Sequence, residues 1–331
     1  MKITIKDIAK QANVSKMTVS RVLSGKGQVA EETAQLIRKI AKELNYQPNL
    51  IARSLTNRKS YTLGVLFPKT NKIFLDNYIA QVLSGITDEA QKQNYRIMLF
   101  PVGEQTENYV SIANSNLLDG MLLLKTKKDD SQLEELAESE FPFVLVNHNA
   151  SGKNISFVDT ENEKGAITAV KHLYNAGHRK IAFVGGTTDE TNSLDRFNGY
   201  KEALKKLKLK FREDYVLYCN YDKEQAYRDS KKFIYLKEPP TAIFCADDYM
   251  AIGVIERLRV EGIKVPEEVA VIGFDDIEIS TFVTPALTTI KQPIYEIGRE
   301  AALILLDIIN EKIESPVQKM LKTELIERDS V

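Results

Sequence analysis

With 331 residues, 43% of them hydrophobic, the chain can bury a large core and is long enough for a small module plus one or two domains of ordinary size. The net charge of −1 conceals an asymmetry: residues 1–60 carry 12 Lys or Arg against 4 Asp or Glu and the rest carry 33 against 42, so only the basic head is suited to a polyanion. Two cysteines in no metal-ligand spacing, no apolar leader after Met1 and no run of roughly 18 apolar residues point away from a secreted or membrane protein and towards a cytoplasmic one.

Thr4 and Asp7 have the spacing of a capping box, and Ile5, Ile8, Ala9 and Ala12 recur on one helical face. Asn13 and Val14 interrupt that pattern. Ser15 can cap a second helix whose apolar face is Val19, Val22 and Leu23. Its other side presents Lys16, Met17, Thr18, Ser20 and Arg21 without a carboxylate. Arg can hold guanine O6 and N7, hydroxyls can bind phosphates or bases, and Met can touch a thymine methyl, so the row suits a DNA major groove. Taken alone, the row also fits a solvated face of a small helical domain.

Ser24 to Gln28 form a turn by composition, and a third helix follows with Ala34, Ile37, Ile40, Ala41 and Leu44 at helical spacing. Asn45-Tyr46-Gln47-Pro48 ends it. Residues 49–56 could form barely two turns of helix, ordered only when packed against something. From residue 61 the texture becomes apolar runs alternating with helical stretches. Candidate strands are Thr62–Phe67, Arg96–Pro101, Gly120–Leu124, Phe143–Asn147, Ile181–Val184, Val216–Tyr218, Ala242–Ala246 and Val269–Phe274, with helices such as Tyr78–Gln93, Glu163–Ala176, Arg196–Leu207, Gln225–Ile234, Met250–Glu261 and Ile294–Ile309. Alternation of this kind predicts parallel sheets covered by helices, with ligands beyond the carboxyl ends of the strands.

Residues 3 to 67 resemble the headpiece and hinge of the LacI family of bacterial transcription regulators. The resemblance is carried by Thr4-Ile5-Lys6-Asp7-Ile8-Ala9, Val14-Ser15-x-x-Thr18-Val19-Ser20-Arg21-Val22, Glu43-Leu44-Asn45-Tyr46-x-Pro48-Asn49, Ala52-Arg53-Ser54-Leu55 and Leu63-Gly64-Val65-Leu66-Phe67. It implies that Lys16, Met17 and Arg21 read bases and that 49–55 is a hinge helix with Leu55 as a minor-groove wedge. Thr4, Ser15, Thr18, Ser20, Asn49, Ala52 and Arg53 complete the DNA-contacting set. Ala30 departs from the family, which usually offers a better cap for the third helix.

The likeness continues through Gly177 to Gly186, Arg196-x-x-Gly199-Tyr200, Pro240 to Asp248, Val271 to Asp275 and Pro285 to Ile290. These segments resemble the family's effector-binding core, itself similar to periplasmic sugar-binding proteins: an α/β two-lobe fold with the ligand in the cleft. The expected division is a helix-turn-helix head at 1–46, a hinge at 47–60 and a core at 61–331. Its N-lobe covers about 61–159 and 292–322, its C-lobe about 160–291 and 323–331, with crossovers near 158–162, 288–293 and 320–325. Asn147, Arg196, Asp247 and Asp275 match polar effector positions, and Phe74, Asn192 and Tyr221 match positions that often line the pocket. Where this chain has Asn147 and Asp247, family patterns often show Asp and Asn, which leaves the effector's hydroxyl pattern open. Asp248 is expected to cap the helix near Met250, His178 to serve a turn, and His172 to lie on the surface.

The expected protein is a dimeric repressor, without the leucine-repeat tail that makes some relatives tetramers. It binds a palindromic double-stranded operator and is released by a sugar or sugar derivative. A purine-type corepressor, or control by a protein partner instead of a small molecule, stays open. No dinucleotide fingerprint, P-loop, His-x-x-x-His pair or Gly-x-Ser-x-Gly elbow stands out, so neither a cofactor nor catalysis is expected.

Overall fold

The computed structural model describes residues 3–24, 28–46, 59–68, 77–103, 108–150 and 152–331. They fall into two compact units, Met1–Ser60 and Tyr61–Val331.

The first unit holds helices α1 (Ile5–Gln11), α2 (Lys16–Ser24) and α3 (Glu31–Glu43). The Asp7 carboxylate accepts from the Thr4 backbone N–H at 2.8 Å and from its hydroxyl at 2.7 Å, fixing the start of α1. Those bonds hold the Asp7 pKa below the ordinary carboxylate range. Asn13 makes the corner to α2 with φ 50°, a conformation that Asn tolerates better than most side chains. Ser15 then caps α2, its Oγ accepting from the Thr18 N–H at 3.1 Å. Ile8, Ala9, Ala12, Val19, Val22, Ala34, Ile37, Ile40 and Ala41 close a small core, with Ile5, Leu23 and Leu44 packed at its margin.

Ala30 occupies the cap position of α3 and provides no side-chain bond. Ala30→Ser is therefore expected to stabilise the head by about 1 kcal/mol, seen as a higher urea midpoint of its transition in the full chain. An unchanged midpoint would show that the cap is already supplied from elsewhere.

The second unit contains two six-stranded sheets. The first is built from β1 (Thr62–Pro68), β2 (Arg96–Val102), β3 (Gly120–Leu124), β4 (Phe143–Val146), β5 (Phe157–Thr160) and β11 (Gln318–Leu321), in the order β11-β5-β4-β3-β1-β2. The second is built from β6 (Ile181–Gly185), β7 (Val216–Tyr218), β8 (Ala242–Cys245), β9 (Ala270–Asp275), β10 (Thr288–Lys291) and β12 (Glu324–Ile326), in the order β12-β10-β9-β8-β6-β7. Among the described residues every pairing is parallel except β10 with β12. The apolar runs explain this: β3, β6, β8 and β9 are buried along their whole length, as strands covered on both faces must be.

The chain passes between the sheets after β5, after β10 and between β11 and β12. Helix Ile294–Ile309, which follows β10, packs back onto the first sheet and lies close against Asn77–Lys92. That approach needs glycine: a Cβ on Gly85 would meet the Tyr295 carbonyl at 2.1 Å, and one on Gly298 the Val82 carbonyl at 2.1 Å.

Two helices differ from expectation. The stretch 225–234 breaks at Ser230 into Lys223–Asp229 and Lys231–Ile234, because Ser230 ends one helix and begins the next. The helix expected from Arg196 starts earlier, at Thr191. Its first turn, Thr-Asn-Ser-Leu-Asp, has no apolar period to reveal it. No helix among the described residues is long and apolar enough to cross a membrane.

Candidate functional site

On α2 the side chains of Lys16, Met17 and Arg21 are exposed, Met17 by 64%, and Thr18 and Ser20 are half-buried. The first turn carries no acid. The Ser15 and Thr18 hydroxyls lie 2.9 Å apart, and the Thr4 hydroxyl is engaged by Asp7, so these three arrive already oriented. The α2 face thus offers cations, one apolar tip and fixed hydroxyls, the groups that contact phosphates and base edges. Asn49, Ala52, Arg53 and Leu55 lie outside the described residues, as does Phe74.

In the second unit, a cavity of about 260 Å³ opens at the carboxyl ends of both sheets. Asn147, Asn192, Arg196, Tyr221, Asp247 and Asp275 all line it, so six of the seven expected effector residues are brought together. Five of the lining residues hold left-handed backbone: Lys125 (φ 52°), Asn147 (56°), Asn220 (51°), Tyr221 (56°) and Asp275 (117°). Strain of about 1–3 kcal/mol at each such residue is concentrated where chains leave strands to present side chains.

Arg196 organises the floor. Its side chain is 2% exposed; Nε donates to Asn162 Oδ1 at 2.9 Å, Nη1 donates to the Ala246 carbonyl and to Asp275 Oδ1 (3.4 Å for the latter), and the guanidinium lies 3.9 Å from the centre of the Phe274 ring. Asp275 Oδ1 also accepts from Gln292 Nε2 at 2.5 Å, and Thr160 Oγ1 donates to Gln292 Oε1 at 2.7 Å. Asn162 Nδ2 completes the network by donating to Asp159 Oδ1 at 3.0 Å. Thr160, Asn162 and Gln292 stand where the chain crosses between sheets, so the network ties the cavity floor to the crossovers.

Opposite this floor, Asn147 Oδ1 is buried without a hydrogen-bond partner. A buried acceptor left bare costs about 1–3 kcal/mol, and a ligand hydroxyl would relieve it. The Tyr221 phenol donates to Asn192 Oδ1 at 3.3 Å. Its ring lies flat over Gly186, where an added Cβ would come within 2.1–2.6 Å of three ring carbons. Gly186→Ala is therefore expected to displace the ring and weaken ligand binding by about tenfold, or about 1.4 kcal/mol, measured by calorimetry. Unchanged affinity would remove Tyr221 from the contact set.

Segments that follow strands of the two sheets touch one another. The Lys128 N–H donates to the Asp189 carbonyl at 2.7 Å, Lys127 Nζ lies 3.2 Å from Asp189, and the Asn149 N–H meets Thr191 Oγ1 at 3.2 Å.

Asp247 lines the cavity as expected, but it and not Asp248 caps the helix. Asp247 caps helix Asp248–Val260, its Oδ1 accepting from the Met250 N–H at 2.7 Å, while also lining the cavity. Asp248 is fully buried and accepts from Thr289 Oγ1 at 2.5 Å and from the Ile277 N–H at 3.0 Å; burial, then the charge of Asp275, pushes its pKa well above the ordinary carboxylate range. Arg196, expected at a helix start, sits in the second turn, and that depth carries it to the floor. His178 bonds Thr241 at 3.0 Å just before β6, as a turn residue would, whereas His172 is half-buried. Cys219 and Cys245 are free and buried.

Sequence reasoning missed Pro68, Tyr78, Lys125, Thr187, Glu190, Asn220, Tyr249 and Gln292 in the lining. Lys125 directly follows a strand, Thr187 and Asn220 stand two residues beyond one, and all three could have been found by that rule. Burial pushes the Glu190 carboxyl up and Lys125 opposes it. Among the described residues no group of His, Cys, Asp or Glu could hold a metal.

Residues 4–49 match the model for "Bacterial regulatory proteins, lacI family", and residues 170–331 that for "Periplasmic binding protein-like domain". A probable HTH-type transcriptional repressor ExuR of Bacillus subtilis (strain 168) is 34% identical over 331 residues, spanning 99% of this chain and 98% of the relative. The chain belongs to the LacI family of bacterial regulators. Catabolite control protein A of Priestia megaterium is also 34% identical, over 97% of each chain, and the HTH-type transcriptional repressor PurR of Vibrio atlanticus (strain LGP32) is 32% identical over 99% of this chain and 98% of the relative. Among solved structures, the transcriptional regulator CelR in complex with cellobiose superposes with TM-score 0.78 at 29% identity over 100% of both chains. The lac repressor dimer bound to operator gives 0.86 at 23% identity, over 100% of this chain and 99% of that one, a likeness of fold. The LacI-family membership makes α1 and α2 its DNA-binding helix-turn-helix and the two-sheet unit its periplasmic-binding-protein-like core.

Proposed function

We propose that this LacI-family member is a cytoplasmic, homodimeric repressor, not an enzyme, that binds a palindromic operator and is released by a sugar or sugar derivative. In this reading 1–46 is the DNA-reading head, 47–60 the hinge and 61–331 the effector-binding core. Lys16, Met17 and Arg21 read base edges; Asn147, Asn192, Arg196, Tyr221, Asp247 and Asp275 hold the effector. The observation that carries it is the cavity itself: the bare Asn147 acceptor faces Asp247, Asp275 and Arg196 across the two sheets. Carboxylates and an amide oxygen accept hydroxyl hydrogens, Arg196 donates, and the Tyr221 ring covers an apolar sugar face. A ligand bonded to both sheets acts through its different affinity for their open and closed arrangements.

A purine corepressor is the second reading, favoured by the tyrosines at 78, 221 and 249 in the lining and by the PurR relatives. Calorimetry of the full chain against neutral sugars, sugar phosphates and purine bases separates them. Heat with a sugar is expected; heat only with a purine supports the second reading. Silence across the panel would contradict both and favour control by a protein partner.

A further inference from the structure

Asp159 lies on β5, one residue before the chain leaves the first sheet, and is completely buried. Its Oδ1 is satisfied by the Thr160 N–H at 2.7 Å and Asn162 Nδ2 at 3.0 Å, but Oδ2 is buried with no partner. A carboxylate oxygen left bare in a dry site is costly, whereas a carboxyl O–H removes the charge. From the second-sheet side, helix Thr191–Lys206 brings Asp195 and Arg196 to bear on it. Arg196 is already committed to Asn162, Ala246 and Asp275, and Asp195 is engaged by Asn149 Nδ2 at 3.4 Å. Other charges nearby are spoken for: Glu161 pairs with Lys164 at 2.6 Å, and Lys319 of the adjoining β11 with Glu300 at 2.7 Å.

We propose that Asp159 is a proton-binding element of the lobe crossover, holding a proton while the two sheets are closed over it and losing it when they part. The consequence for the cleft rests on the ligand-binding reading given above; the proton itself does not. Burial first, and the Asp195 charge in support, push the carboxyl up to about 7 against the opposing bonds from Thr160 and Asn162 and the Arg196 charge. The unfolded chain gives up this proton in the ordinary range near 4, so the fold holds more protons between about 4 and 7. Stability from this group is therefore lost as pH rises through that window and is flat above it. Opening of the sheets, which admits water, is favoured above the window and closure below it.

The test uses the full chain without ligand. Asp159→Asn keeps the shape and an amide but cannot titrate. Between pH 5 and pH 7 the melting temperature of the parent is expected to fall by about 5 °C relative to Asp159→Asn. Asp195→Asn removes the neighbouring charge and should move the parent's break to lower pH. Small-angle scattering at pH 6 and pH 8 should show the parent expanding and Asp159→Asn unchanged. Parallel melting profiles of parent and Asp159→Asn, even with the variant lower throughout, would overturn the proton. Diverging profiles with identical scattering would overturn its link to lobe opening. A sugar-panel failure with both signals present would leave this proposal standing and remove only the sugar.

Discussion

Arg196→Ala is expected to bind operator with parental affinity at 20 °C and to lose all response to effector. The same change should lower the stability of the two-sheet unit by about 3–5 kcal/mol, because it takes the positive partner of the nearly buried Asp275 carboxylate away and leaves its charge uncompensated. One guanidinium holds Asn162, the Ala246 carbonyl and Asp275 together, so three buried acceptors each lose a donor at once, although Asp275 keeps Gln292 Nε2. Arg196→Lys restores a charge but not the planar fork, and is expected to recover part of the stability without the response. The measurement pairs thermal melting with operator titrations at saturating effector. A melted protein that no longer binds DNA at 20 °C would make Arg196 a structural residue first; a variant that still responds would remove it from the site.

Arg21→Ala is expected to leave melting unchanged and to cost the operator its advantage over scrambled DNA by about 1–3 kcal/mol, or roughly fivefold to more than a hundredfold, at each half-site. Arg21 is exposed in the last turn of α2 and outside the buried core that closes the head. Exposed substitutions of this kind change stability little. Anisotropy titrations of operator and scrambled duplexes at one fixed salt concentration isolate the effect, since a phosphate contact would weaken both equally. Equal weakening on the two duplexes would reassign Arg21 from base reading to the backbone.

Asn147, Asp247 and Asp275 were legible in the sequence because each stands at or just beyond the end of an apolar run, and strand ends in a parallel fold face the cleft. The same rule reaches Lys125 and Asn220, which were passed over because neither belongs to a motif. Gln292 could not be found this way. Its place beside Asp275 follows from the packing of β10 on β9, a pairing between strands only four and six residues long, the first of which, Thr-Thr-Ile-Lys, has no apolar run. That Asp247 and not Asp248 is the cap turns on where helix Asp248–Val260 begins, a question of a residue or two that periodicity does not answer. Asp159 was hidden for the opposite reason: its strand is fully buried and its charge looks misplaced until the second sheet is seen to close over it. In the head, the apolar faces of α1, α2 and α3 declared themselves because a three-helix core this small uses nearly every apolar residue it has.

The most direct measurement is a mobility shift of the full chain on a palindromic duplex selected from random DNA, repeated with sugars, sugar phosphates and purine bases. The expected result is one shifted species carrying two chains, released by a neutral sugar and by nothing else in the panel. A complex that forms and is tightened by a purine, or is indifferent to every compound, would contradict the central claim that a sugar in the Arg196 cleft relieves repression.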